Sequence, residues 1–242
     1  MHFPFHTLHF WLIRVAFLSV GLSIPFDVFG SDAALSPAVL QAKIQAVAAD
    51  AAKSCVAIYS APGDSWGSGV IVSDEGHVFT AAHVVSRRGE LVDLYRADGG
   101  RNVARVLDLD RDLDAALLVI LDHDPADRAA AKLSEDAEPE SGAPCVALGH
   151  PYGYDAARRA SLRFGFFSHE SGRHDLLTTC RMTAGDSGGP LFSLDGRLIG
   201  IHKTVDGGGS GLVAHVPVAR LMERFTATAD AATVAMVTVS NR

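Results

Sequence analysis

The sequence predicts an all-β chain of two antiparallel β-barrels or sandwiches, with a short helix at each end. Two groups of about six short, β-branched, apolar segments recur along it, each bounded by turn residues. No helical pattern alternates with them, which argues against a parallel α/β sheet. An Asp/Pro/Ala-rich connector, Asp122–Pro144, separates the two groups.

The elements follow in order. Ser36-Pro37 opens a helix, serine as cap and proline in the first turn, and Leu40, Ile44 and Val47 keep helical spacing toward Lys53. The period then shortens to that of strands. Expected strands are Cys55–Tyr59, Gly69–Val72, Val78–Ala81, Leu91–Tyr95, Val103–Leu109 and Ala115–Leu121. Turn clusters such as Pro62-Gly63-Asp64 and Asp98-Gly99-Gly100 divide them. The second group comprises Cys145–Leu148, Leu162–Ser168, Leu176–Cys180, Pro190–Ser193, Leu198–Lys203 and Gly211–Val216. Asp195-Gly196 is a hairpin turn, and Gly207-Gly208-Gly209, with no Lys-Ser/Thr after it, reads as a hairpin tip rather than a phosphate loop. A short helix from Val218 to Phe225 closes the domain, leaving 226–242 as a tail.

Composition narrows the function. The 242 residues carry a net charge of −7 and are 48% hydrophobic. Such a chain folds, and it lacks the basic face of a general nucleic-acid binder. Residues 1–30 hold Arg14, then the uncharged apolar run Val15–Phe26, then small residues near Gly30 and Ala33. That is the layout of an export signal, too short to span a bilayer comfortably. The expected location is periplasmic or secreted, the alternative being an uncleaved N-terminal anchor, with no span in the mature chain. Export permits one disulfide among Cys55, Cys145 and Cys180 without naming the pair.

Three motifs carry chemistry. In Thr183-Ala184-Gly185-Asp186-Ser187-Gly188-Gly189-Pro190, glycines allow a tight turn that aims backbone N–H groups at one point. The expected oxyanion donors come from the Gly185-Asp186-Ser187 backbone, chiefly Gly185 and Ser187, with Ser187 as nucleophile. Phe79-Thr80-Ala81-Ala82-His83 ends a strand and presents His83 as the base such a hydroxyl needs. Asp114 abuts the apolar strand Ala115–Leu121 and is chosen over Asp110 and Asp112 to orient His83.

In the order His83, Asp114, Ser187, the sequence resembles the trypsin/chymotrypsin-like serine proteases, most closely the bacterial Deg/HtrA and glutamyl-endopeptidase branch. Trp66-Gly67-Ser68-Gly69-Val70-Ile71-Val72, Ala147-Leu148-Gly149-His150-Pro151-Tyr152-Gly153, Leu198-Ile199-Gly200-Ile201-His202 and Leu212-Val213-Ala214-His215-Val216-Pro217-Val218 resemble further segments of that family. The likeness covers about Ser36 to Phe225. It implies a chymotrypsin-like pair of six-stranded barrels, with a protease domain over 31–225, an N-terminal barrel at about 54–121 and a C-terminal barrel at about 144–217. The triad would lie in the cleft between the barrels. The stretch after Val218 is too short for the peptide-binding module that often follows in the family. Asp186 stands where trypsin-type enzymes hold a residue used in activation, and its partner is left open.

The resemblance implies that the residues before Ser187 and after Gly200 line the specificity pocket: Arg181, Met182, His202, Lys203 and Thr204. Three of these are basic, which suggests cleavage after Glu or Asp. His169 and His174 lack the i, i+4 spacing of a zincin site, so no metal is expected, and no motif asks for a cofactor. The expected partners are polypeptide substrates, and the competing class is a catalytically silent, protease-like binding module.

Overall fold

The computed structural model describes residues 36–121, 130–134, 139–157, 159–168, 174–205 and 211–240. The expected export signal, His123, His169 and the glycine tip at Gly207–Gly209 lie outside the described residues.

Helix α1 (Pro37–Ser54) begins where Ser36 Oγ accepts the Val39 N–H at 3.4 Å. Six strands follow: β1 (Cys55–Ser60), β2 (Ser65–Ile71), β3 (His77–Thr80), β4 (Leu91–Tyr95), β5 (Arg101–Asp110) and β6 (Ala115–Ile120). They close into an antiparallel barrel in the order β1-β2-β3-β6-β5-β4. The second barrel comprises β7 (Pro144–Gly149), β8 (Ser161–Ser168), β9 (Leu176–Thr178), β10 (Pro190–Ser193), β11 (Leu198–Val205) and β12 (Val213–Pro217). It closes as β10-β11-β12-β9-β8-β7. Closure leaves no sheet edge to protect. All twelve expected strands are present.

Helix α2 runs from Val218 to Ser240, so the expected end at Phe225 is too early. Val218, Leu221 and Phe225 bury one face of its first turns. Beyond them the sequence is rich in alanine, which sustains a helix without needing an apolar stripe. No helix among the described residues is long and apolar enough to cross a membrane.

The connector holds a surprise. Ala131 N–H donates to Ile71 O at 2.9 Å in the first barrel. Leu198 N–H donates to Lys132 O at 2.7 Å and Ser134 N–H to Leu198 O at 2.9 Å in the second. Its described middle is thus a strap laid across both barrels rather than a plain linker.

One apolar cluster joins the whole: Val47 of α1, Val70 and Phe79 of the first barrel, Val146, Leu148 and Ile201 of the second, and Leu221 and Phe225 of α2. Cys55 lies in this shared core, whereas Cys145 and Cys180 lie together under the second barrel with their sulfurs 3.7 Å apart. All three are buried thiols, and burial pushes the Cys55 thiol pKa upward.

Candidate active site

The site forms at the ends of strands, where the chain turns. His83 sits on a single 3-10 turn (Ala82–Val84) directly after β3. That turn is clamped from outside: the Arg111 guanidinium donates to Ala82 O at 2.6 Å, Val85 O at 3.0 Å and Ser86 O at 2.7 Å. Asp114 precedes β6 in the left-handed region at φ 59°, a conformation Asp tolerates better than most residues. Its carboxylate accepts from His83 Nδ1, with Oδ2 at 2.9 Å and Oδ1 at 3.0 Å, and Oδ1 also accepts the His83 backbone N–H at 3.0 Å. This fixes the ring tautomer, with Nε2 left bare. Asp110, by contrast, accepts the Leu113 and Asp112 N–H groups and pairs with Arg224. Those contacts hold its carboxyl below the ordinary range, the Leu113 hydrogen bond being the largest cause.

Ser187 lies on the turn before β10. Gly188 at φ 81° presses so close to the first barrel that a Cβ would sit 2.3 Å from Thr80 Oγ1 and 2.4 Å from Ser68 O. Only glycine permits that approach. Ser68 of β2 staples the turn to the first barrel. Its N–H donates to Ser187 O and its hydroxyl to Gly185 O, each at 2.8 Å, while its Oγ accepts the His150 N–H at 2.8 Å. The Ala184 carbonyl accepts from Tyr152 N at 2.7 Å. Carbonyl and N–H of one trans peptide point opposite ways, so the Gly185 N–H is turned away from the Tyr152 loop. The expected contribution of Asp186 to the oxyanion donors needs correction: its N–H donates to Thr183 O at 3.1 Å and is thereby spent.

His83, Asp114 and Ser187 line one open cleft of about 430 Å³, together with Met182, Ala184 and Val213. A family model described as a trypsin-like peptidase domain matches residues 67–201, more than half of the chain.

The chain belongs to the trypsin-like peptidase family.

Curated relatives include the "Probable periplasmic serine endoprotease DegP-like" of Pseudomonas fulva, 31% identical over 165 residues, covering 66% of this chain and 34% of that protein. "Serine protease HTRA1" of Xenopus tropicalis is 34% identical over 152 residues, covering 56% of this chain and 30% of that protein. The chain therefore spans about a third of the length of the curated relatives it matches. The crystal structure of the serine endoprotease from Yersinia pestis superposes with a TM-score of 0.67 at 24% identity. It covers 76% of this chain and 66% of that one, a likeness of fold.

This trypsin-like peptidase domain answers the question that Asp186 left open. Its carboxylate, 1% exposed, accepts at one oxygen from Arg163 Nη2, Thr183 N and Thr183 Oγ1, each at 2.9 Å. Arg163 comes from β8, whose alternation turns Leu162, Phe164 and Phe166 outward to solvent and leaves Arg163 on the inner face. Arg163, Ser68 and Arg111 are the functional neighbours that motif reading passed over. A lone arginine amid the apolar run of β8 was the available signal for the first.

The expected cationic pocket of the peptidase domain is differently arranged. Arg181 is exposed and is not among the residues lining the cleft. Lys203 lines it but its ammonium is held by Asp175 at 3.0 Å. His202 lines it from behind, 1% exposed, with Nε2 3.0 Å from Leu148 O and Nδ1 3.0 Å from His215 Nδ1. A carbonyl can only accept, so His202 Nε2 carries the proton and donates to Leu148 O, while the bare His202 Nδ1 accepts from His215 Nδ1. His215 Nε2 then accepts the Thr178 hydroxyl at 2.8 Å. Both rings are neutral: burial lowers the His202 pKa to about 3 and holds His215 well below its ordinary value. Met182 and Thr204 line the cleft.

Proposed function

We propose that this chain is an exported serine endopeptidase that hydrolyses polypeptides through Ser187, His83 and Asp114. The observation that carries the reading is the carboxylate-oriented imidazole opening on the same cleft as Ser187. Ser187 Oγ attacks the substrate carbonyl while His83 Nε2 takes its proton. The Gly185 and Ser187 N–H groups hold the oxyanion, and Asp114 stabilises the imidazolium. Collapse expels the amine, which leaves with the proton from His83. Water then repeats the sequence on the acyl-enzyme and frees Ser187. Export rests on the layout of residues 1–30 and on the periplasmic name of the Pseudomonas relative.

The cleft favours an uncharged side chain over the acidic one expected from Arg181, His202 and Lys203. Met182, Ala184 and Val213 offer apolar surface, His202 is neutral, and Lys203 is paired. A carboxylate entering there would displace Asp175 to gain a partner.

A fluorophosphonate phosphonylates an activated serine and therefore tests the reading directly. Covalent labelling is expected in the wild-type protein, located to Ser187 by peptide mass, and absent from Ser187→Ala. Equal labelling of the variant would refute the assignment, and no labelling of the wild type would favour the silent binding module. Library digestion by the same preparation is expected to show cleavage after uncharged residues.

A further inference from the structure

Trp66 of β2 stands at the centre of a ladder of rings. Its indole lies 4.8 Å from the Tyr59 ring and 5.8 Å from the Tyr95 ring, centroid to centroid. Tyr95 stacks in turn on Tyr154 of the second barrel at 4.4 Å and 14°. All four residues are half-buried, so the rings stay open to solvent on part of their surface. The charges at the rim are already paired: Arg101 with Asp93 at 2.7 Å, and Tyr59 hydroxyl donating to Asp64 at 3.1 Å. What the ladder offers a ligand is apolar ring surface.

The ladder is continuous with the turn that precedes Ser187. Gly153 lies against Trp66 so closely that a Cβ there would be 2.5 Å from the indole. A Cβ on Gly185 would be 2.6 Å from Tyr152 N and 3.0 Å from Gly153 N. Between them Tyr152 is 74% exposed and sits at φ 62°. A large aromatic residue in the left-handed region, open to water, is a costly placement of the kind retained at functional sites. None of these rings is among the residues lining the cleft with Met182, Ala184 and Val213. Tyr152 and Gly153 abut Gly185 of the turn, and the ladder extends from Gly153 through Trp66. With the acyl side chain in the cleft, the surface beyond the Gly185–Ser187 turn, where Tyr152 and the ladder lie, is free for the other half of the peptide.

From this continuity, and resting on the endopeptidase reading above, we infer that the leaving-group side of the site holds a subsite for an aromatic or other large apolar side chain, formed by Tyr152 and the Trp66 ladder.

Two kinds of substrate sharing one acyl half test it. Quenched fluorogenic peptides vary the first two residues after the scissile bond among Phe, Trp, Ala and Asp, and an anilide has no residue there. Wild-type kcat/KM is expected to be about fivefold higher with an aromatic than with alanine, the worth of one good ring contact. In Tyr152→Asn, which suits the left-handed backbone but lacks the ring, that ratio is expected to fall toward one. In Trp66→Leu it is expected to fall as well. A general loss of folding lowers all substrates together and leaves the ratio unchanged, so the ratio reads the subsite itself. A wild-type enzyme that cleaves the anilide but treats all the peptides alike overturns the subsite and leaves the endopeptidase reading standing. A ratio that survives in both variants also overturns it. Absence of turnover on every substrate, with no fluorophosphonate labelling, overturns both.

Discussion

At the scale of single residues, the site depends on side chains that hold turns rather than touch substrate. Asp114 keeps an uncommon φ of 59° while binding both the ring and the backbone of His83. Arg111 clamps the His83 turn through three carbonyls, and Ser68 ties the Ser187 turn to the opposite barrel. Asp186 is the most exposed to risk, because it is a carboxylate buried next to Ser187 in the chain. Arg163, whose side chain is 20% exposed, is the cation that offsets it. Replacing Arg163 by Met leaves Asp186 buried without a cation. The expected cost is about 3 kcal/mol of stability, read from the urea midpoint. Fluorophosphonate labelling should slow at the same time, because the Thr183–Ser187 turn loses its anchor. Unchanged stability would show that Thr183 and water suffice. His83, Asp114 and Ser187 were legible because small residues and glycines around them are local signals. Arg163 was not, since its partner lies 23 positions away and on another element.

At the scale of elements, strands were read well because short apolar, β-branched runs and the turn residues that bound them are both local. The start of α2 at Val218 was read well and its far end poorly. Its first turns carry Leu221 and Phe225 at i, i+4 spacing, but the rest lacks an apolar stripe and depends on propensity alone. Those first turns bind the helix to the first barrel. Arg224 pairs with Asp108 at 3.0 Å and Asp110 at 2.9 Å. Phe225, 1% exposed, packs on Phe79 with ring centroids 6.1 Å apart. Phe225→Ala opens a cavity in the shared core and is expected to cost about 3–5 kcal/mol in chemical denaturation. Arg224→Ala, on a partly exposed pair, is expected to cost about 1 kcal/mol or less. The opposite ranking would mean that charge rather than packing seats the helix.

At the scale of the whole molecule, the two barrels share one core, so stability and site geometry are coupled. Acid should reveal this through His202 and His215. Both are buried and neutral in the fold, His202 with a pKa near 3 against an ordinary 6.5. Between those values the unfolded chain binds protons that the folded chain refuses. Stability is therefore expected to be fully present above about pH 6.5 and to fall as pH drops toward 3. Each of the two rings contributes up to about 1.4 kcal/mol per pH unit in that window. Urea midpoints measured from pH 7 to pH 4 should show the slope, and the double variant His202→Val, His215→Leu should flatten it. An unaltered slope in that variant would place the acid sensitivity elsewhere.

The sequence by itself determined the twelve strands, their division into two groups and the three residues brought to one cleft, because each was written in short-range periodicity or a short motif. The tertiary structure decided what no local pattern contains. It set Arg163 against Asp186, spent the Asp186 N–H on Thr183 O within the same turn and laid Ala131–Ser134 of the connector across both barrels. It also buried His202 between Leu148 O and His215 and paired Lys203 with Asp175. The physical reason is the same throughout. Charge state and hydrogen-bond direction depend on what is packed against a group, and those neighbours come from distant parts of the chain.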